Sequence, residues 1–333
     1  MKIHILFDFK DISGGGNQFL KALRSYLIEI GSYSENINSA DIVIYNSHHL
    51  VLRLLKLKFK YSNKIFVHRL DGPIKLYNKI SDHRDDLIYL VNHHISDGTI
   101  FQSDWSKQQN IASGLIQKSF EAVILNAPSQ NYFYPKKSTC LISSNKVKII
   151  SVSWSSNFKK GFSIYKWIDE NIDFSKVDMK FIGNSPIAFQ NIEVISALSH
   201  EKLSNELRAA DIYLTASQKD PCSNSLIEAM HCGLPVIALN DGGHPEIVKK
   251  GGELFNYPEE IPKLIDKIAS NYEIYQNNIN LPDIENVGGR YVSFLESIYN
   301  AYTKGEFKVQ KIKIVQILQV VIYVLFIKLT NKT

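Results

Sequence analysis

Cysteine is scarce in this 333-residue chain. Cys140, Cys222 and Cys232 show no Cys-x-x-Cys spacing, which excludes a disulfide framework and a thiolate metal site and makes a reducing cytosol the expected home. His48-His49 and His93-His94 have no carboxylate or cysteine at ligand spacing, so they read as surface or packing histidines and no metal is expected. An excess of one charge is missing from most of the chain. The 38 lysines and arginines exceed the 33 acidic residues by five, and the stretch from Lys304 accounts for all of that excess, with Lys304, Lys308, Lys311, Lys313, Lys328 and Lys332 against Glu306. A neutral body argues against nucleic acid as a partner, because phosphate contacts require a basic face. With 44% hydrophobic and 21% charged residues, the chain is neither disordered nor a polytopic membrane protein. Met1 to Phe9 lacks the basic start, long apolar core and cleavage site of a secretory leader, so none is expected.

What is present is an alternation. The length predicts two domains. Short, β-branched runs at Ile3 to Phe7, Ile42 to Tyr45, Ile65 to Val67, Thr99 to Phe101 and Val123 to Leu125 read as strands covered on both faces of a parallel sheet. Phe19, Leu20, Leu23, Tyr26, Leu27 and Ile30 recur at helical steps directly after the first strand. The second half repeats the pattern, with strands at Val147 to Val152, Met179 to Ile182, Ile212 to Thr215 and Val236 to Leu239. Helices fall between them near Phe162 to Glu170, Glu201 to Ala210 and Asn224 to Cys232. The expectation is an α/β protein of two doubly wound, parallel-sheet, Rossmann-like domains, joined within the polar stretch Pro135 to Lys146.

Ligands of such sheets bind beyond the carboxyl ends of the strands, and four strand ends stand out. Ser13-Gly14-Gly15-Gly16-Asn17 precedes a helix and reads either as an anion-binding loop or as a plain flexible turn, with neither G-x-G-x-x-G spacing nor a Walker lysine. His68-Arg69-Leu70-Asp71-Gly72-Pro73 puts three polar heads at a strand edge, which favours a site for a sugar hydroxyl or phosphate over a structural ion pair. Ser153 to Gly161 carries Lys159 and Lys160 before a helix start; on local sequence alone a solvated lysine pair is the simpler reading. The most specific stretch runs from Asp220 through Glu228 to Gly233 and Pro235. Here the helix amides near Ser225 and Leu226 can meet phosphate, and Glu228 can accept ribose hydroxyl hydrogens. Asn240-Asp241-Gly242-Gly243-His244-Pro245-Glu246 follows, a second glycine turn into a helix.

The run from Ala209-Ala210-Asp211 through Glu228-Ala229-Met230-His231-Cys232-Gly233-Leu234-Pro235 to Gly242-Gly243-His244-Pro245-Glu246 resembles the donor-binding signature of the retaining family 4 glycosyltransferases. Lys160-Gly161, Phe181-Ile182-Gly183 and the Tyr291 to Tyr299 helix fall at matching places. That resemblance implies a GT-B architecture, its two domains facing a cleft. It places an acceptor-binding domain at residues 1–138, a nucleotide-sugar-binding domain at 139–303 whose last helix crosses back, and a basic, apolar tail at 304–333. The implied activity is transfer of a sugar from a nucleotide-diphosphate donor, its co-substrate, to a glycan or lipid-linked acceptor in cell-surface polysaccharide biosynthesis, with no metal or other cofactor. The implied catalytic set is His68, Lys160, Asp220 and Glu228: Glu228 on the ribose, Lys160 on the diphosphate, Asp220 on the sugar ring and His68 near the sugar. Lys159, Asn157, Gly183, Ser225 and Leu226 would line the donor with Glu228, and Gly15, Gly16, Arg69 and Asp71 the diphosphate or acceptor. Two positions depart from the family pattern. Asp220 stands for the first of two glutamates, and Ser155 stands where an arginine is common. A catalytically silent relative that binds a sugar nucleotide or scaffolds an assembly is therefore the alternative. A dinucleotide oxidoreductase is disfavoured, because no G-x-G-x-x-G follows a strand.

The tail is strongly apolar from Ile314 to Leu329, with Lys313, Gln316, Gln319 and Tyr323 forming a narrow polar stripe on a helix. Sixteen residues rise about 24 Å, short of a roughly 30 Å hydrocarbon core. The expectation is a helix lying in the interface of an anionic membrane on its cytoplasmic face, the alternative being a helix packed on the N-terminal domain or on a partner subunit.

Overall fold

The computed structural model describes residues 1–10, 14–78, 82–135 and 146–330. Ser13, Cys140 and the expected domain boundary at 138/139 lie outside the described residues. The chain begins β1 (Ile3–Leu6), α1 (Gly15–Glu29), β2 (Ile42–Asn46), α2 (Val51–Lys60), β3 (Ile65–Leu70), α3 (Arg84–Ile95), β4 (Gly98–Phe101), α4 (Asp104–Ala112) and β5 (Glu121–Val123). It continues with β6 (Val147–Ser153), α5 (Phe162–Asn171), β7 (Val177–Gly183), β8 (Glu193–Ile195), α6 (His200–Ala209), β9 (Ile212–Thr215) and α7 (Asn224–His231). Then come β10 (Val236–Leu239), α8 (His244–Val248), β11 (Gly252–Phe255), α9 (Ile261–Ser270) and α10 (Tyr272–Asn277). It closes with α11 (Ile284–Thr303) and α12 (Ile314–Thr330). Contacts divide it into two units. The first holds Met1–Phe9, Leu20–Leu125 and the chain from Glu285 onward; the second holds Lys10–Phe19 and Asn126–Ile284. The division thus falls at 125/126, and both α11 and the tail belong to the first unit.

The first unit is a five-stranded parallel sheet in the order β1-β2-β3-β4-β5. Ile42-Val43-Ile44-Tyr45 is buried throughout, as expected of a strand covered on both faces. After α1 the chain makes a parallel bridge from Tyr33 to Ile3 on one side of β1, then crosses to pair Ile42 with Ile3 on the other. The winding direction therefore reverses at β1. Strand periodicity sorts the faces of β3. Phe66 joins a core cluster with Leu54 and Leu55 of α2, Val91 of α3 and Val320 of α12. Arg69 points the other way and donates from Nε to the Tyr291 hydroxyl of α11 at 3.2 Å. Tyr291, Leu295 and Ile298 are fully buried along α11, each contributing about 1.5–3 kcal/mol of apolar burial.

The second unit is a six-stranded parallel sheet in the order β11-β10-β9-β6-β7-β8. Its winding reverses between β6 and β9, and the crevice expected of such a sheet opens where those strands end. Phe162, Tyr165 and Ile168 of α5 bury one helix face against Phe181 of β7 and Ile212 and Leu214 of β9. Asp169, buried on the same helix, accepts the amides of Gln190, Asn191 and Ile192 at 2.8, 2.7 and 3.0 Å and so fixes the turn into β8.

Candidate functional site

Three strand-end loops of the second unit converge on Asp220. After β6, Asn157 accepts the Lys159 amide at 2.9 Å and starts a short 3-10 turn over Phe158–Lys160. That turn brings the Lys160 Nζ to the Asp220 Oδ2 at 2.9 Å. After β9, the Ser217 hydroxyl donates to the same oxygen at 3.2 Å, and the Cys222 amide donates to Oδ1 at 3.3 Å. After β10, the Gly243 amide donates to the Asp220 carbonyl at 2.9 Å. Gly242 makes this approach possible: its φ is +64°, and a β-carbon there would strike the Asp220 backbone. Burial alone would raise the Asp220 carboxyl; Lys160, His244 and the Ser217 hydroxyl outweigh it and hold the group below its ordinary value.

His244 opens α8 and is wholly buried, its Nδ1 bonded to the Leu239 carbonyl at 2.9 Å and its Nε2 without a partner among the described residues. With Nδ1 as donor, Nε2 is an unprotonated acceptor. Lys219, at φ +53°, pairs with Asp241 at 2.9 Å across the same loops. Ser217 and His244 lie in the stretches quoted from sequence but were given no role there. The signal for His244 was its place at the first helical position of a strand-end glycine turn.

Helix α7 begins beside this cluster. Ser223 at its N-cap makes no side-chain capping bond, so first-turn amides have no acceptor within the helix. Ser225 accepts from the Tyr213 hydroxyl at 2.9 Å and donates to the Val152 carbonyl at 3.5 Å, which ties its side chain to the sheet. Leu226 is fully buried, backbone included, so of these two residues only the part-buried Ser225 leaves its N–H for a ligand. Glu228, one turn on, is 8% exposed and has no hydrogen-bond partner among the described residues, and burial pushes its carboxyl up to about 8. A carboxylate so placed gains from any hydroxyl that donates to it. The glycine turn borders the same helix: a β-carbon on Gly15 would meet the Asn224 side chain at 2.5 Å, whereas Gly16 has open space around it. Asn126 donates to Asn224 Oδ1 at 3.0 Å. Gly183 ends β7, where Asn184 donates to the Ser153 carbonyl at 3.0 Å. Ser155 accepts the Asn157 amide at 3.2 Å. Lys160, Asp220, Asn157 and Gly183 are thus placed at the strand ends, with Glu228 and the α7 amides following β9.

The first unit corrects the reading of its polar strand end. β3 runs through Leu70, three residues beyond the expected Val67, so His68 and Arg69 lie inside the sheet. His68 is wholly buried and stacked on Tyr45. Its Nε2 bonds the Ser47 carbonyl at 2.9 Å and its Nδ1 meets Asn92 Nδ2 at 3.2 Å. Burial lowers its pKa to about 3, and with both nitrogens engaged neither is left for a sugar. Arg69, also wholly buried, donates to Asn46 Oδ1 at 2.6 Å and Asp71 Oδ1 at 3.3 Å besides Tyr291. Both are structural. Asp71, its side chain one-third exposed, stands past the strand end. Among the described residues no group of three His, Cys, Asp or Glu could hold a metal ion.

The second unit is a Rossmann-like, doubly wound sheet, and comparison with known proteins narrows the class. Residues 189–280 match the family model "Glycosyl transferases group 1". The GPI3 subunit of phosphatidylinositol N-acetylglucosaminyltransferase from Saccharomyces cerevisiae is 28% identical over 181 residues, 49% of this chain and 40% of that protein. A probable sucrose-phosphate synthase of Thermosipho melanesiensis is 41% identical over 64 residues, 19% of this chain and 15% of that one. The chain thus spans well under two thirds of the length of the curated relatives it matches. Among solved structures, sucrose-phosphate synthase from Thermosynechococcus elongatus superposes with a TM-score of 0.68 at 14% identity, covering 90% of this chain and all of that one. Anabaena HepE in complex with UDP-glucose superposes with a TM-score of 0.63 at 16% identity, covering 91% and 100%. The fold is that of the GT-B glycosyltransferases.

Proposed function

We propose that this chain is a retaining glycosyltransferase that takes a sugar from a nucleoside-diphosphate donor held by the second unit. The observation that carries this reading is the pairing of a buried, unpartnered Glu228 with the open amides of α7 beside Lys160 and Asp220. Glu228 accepts the ribose hydroxyls, and the α7 amides face the diphosphate. Lys160, a third exposed, shifts from Asp220 toward phosphate, and Asp220 then turns to the sugar hydroxyls. When the bond from the anomeric carbon to the diphosphate oxygen breaks, negative charge grows on the leaving group. A cation and amides fixed in place stabilise it with no reorganisation at the moment of reaction. The acceptor oxygen attacks from the same face, and its proton passes to the departing phosphate. These groups need no divalent ion. The bound UDP-glucose of HepE supports a nucleotide-sugar donor, and the GPI3 relative supports a lipid-linked acceptor. We place the reaction on the cytoplasmic side of a membrane, in assembly of a surface polysaccharide.

The mutual Lys160–Asp220 pair and Ser155 in place of a cation favour a second reading, a relative that binds the sugar nucleotide without turning it over. Release of free nucleoside diphosphate in the presence of an acceptor extract, lost in Glu228→Ala and Lys160→Ala, supports transfer. Saturable donor binding with no release against any extract supports the silent relative.

A further inference from the structure

Helix α12 is apolar on the face it buries and on the face it exposes. Its polar stripe faces the protein: Gln316 and Gln319 bond the two ring nitrogens of His94 on α3 at 3.2 Å each, and the Tyr323 hydroxyl donates to Asp86 Oδ2 at 2.9 Å. Most of the residues left outside are apolar, with Ile314, Val315, Ile322 and Leu329 each about two-thirds exposed and Leu318 and Leu325 about half. A soluble surface helix has the reverse arrangement. The helix is also firmly seated. Val320 and Ile327 are buried in the α2–α3 cluster, and the Gln310 amide just before it bonds Asp97 Oδ1 at 2.7 Å. Asp97 in turn holds the buried Lys58 of α2 at 3.1 Å.

Helix α2 borders the same cluster and exposes Leu52 and Phe59 among Arg53, Lys56 and Lys60. Neither helix contains an acidic residue, and Lys311 and Lys313 precede α12 while Lys328 lies near its end. We propose that the exposed faces of α12 and α2 form one docking surface for an anionic lipid bilayer, with the leucines and isoleucines entering the acyl boundary and the flanking lysines meeting headgroup phosphates. Charge complementarity selects this occupant. A second copy of the chain docking through the same face would bring these cations against their own equivalents. The helix lies in the interface and does not cross: its 17 residues rise about 26 Å, and no described helix is long and apolar enough to span a membrane.

The inference is independent of glycosyl transfer, and its test needs no donor. The full chain is floated with vesicles of phosphatidylcholine alone and of phosphatidylcholine mixed with phosphatidylglycerol, and its oligomeric state without lipid is measured by analytical ultracentrifugation. The expected result is flotation with the mixed vesicles, weakened by salt and falling about fivefold for each cation removed in Arg53→Gln and Lys56→Gln. Leu318→Glu combined with Ile322→Glu abolishes flotation. These side chains are exposed, so an unchanged thermal midpoint certifies that each variant is folded. Failure of the chain to float with anionic vesicles overturns the proposal. So does equal flotation of all variants, or a lipid-free dimer that the Leu318→Glu, Ile322→Glu variant dissociates.

Discussion

The ends of β3 and β9 carry the same kinds of side chain and use them in opposite ways. Past β9 the chain leaves the sheet at Thr215, and Ser217, Asp220 and their partners stand in loops at the carboxyl edge. In β3 the strand continues through His68 and Arg69, and their polar heads are spent on Asn46, Ser47, Asn92 and Tyr291. A polar cluster after an apolar run is therefore a ligand site only if the strand has stopped. Extending a strand by three residues turns a binding edge into internal wiring.

That contrast breaks most visibly at its two cations. Lys160→Ala should lower donor turnover by about two to three orders of magnitude, as expected when one fixed donor to a developing anion is lost, while shifting the thermal midpoint little. Arg69→Met should do the reverse. Removing a wholly buried cation that holds Asn46, Asp71 and Tyr291 is expected to cost about 3–5 kcal/mol in urea unfolding, with turnover per folded molecule preserved at permissive temperature. If Arg69→Met instead kept its stability and lost turnover, the first-unit edge would be a site after all.

Glu228→Gln sharpens the comparison through pH. The folded carboxyl titrates near 8 and the unfolded one near its ordinary 4.5, so the native state binds the extra proton between those values. Stability contributed by that group is full below pH 4.5 and is lost as pH rises toward 8. The glutamine variant should therefore be more stable than the parent by about 3–5 kcal/mol at pH 8, with the gain vanishing near pH 4.5. It should also bind nucleoside diphosphate more weakly, about tenfold, for want of a charged acceptor. At Gly242→Ala, backbone strain of about 1–3 kcal/mol at a positive φ adds to a β-carbon driven into the Asp220 backbone, so urea unfolding should show a loss of at least that size and the loop on Asp220 should loosen.

The second unit was the more legible in sequence. Ile212 to Thr215 and Val236 to Leu239 are bounded by turn residues and emerge as β9 and β10 with the same limits. The edge strand β8 was not legible, because Glu193 and Val194 face solvent and give no apolar run. Helix α2 escaped notice too, since its lysines and arginine interrupt the leucines and one of them, Lys58, is buried on Asp97. The polar stripe of α12 was visible, but which face turns inward was not. Periodicity fixes that a helix has two faces and says nothing about the histidine and aspartate waiting on α3.

The central claim, that the second unit grips a nucleoside diphosphate through Glu228 and the start of α7, is tested most directly by calorimetric titration of UDP, GDP and ADP, each with its sugars, into the full chain. The account predicts saturable binding of one of these series to the parent protein, weakened by Glu228→Gln and Lys160→Ala and unaltered in folded Arg69→Met. No binding by any series, or binding indifferent to Glu228, would contradict it.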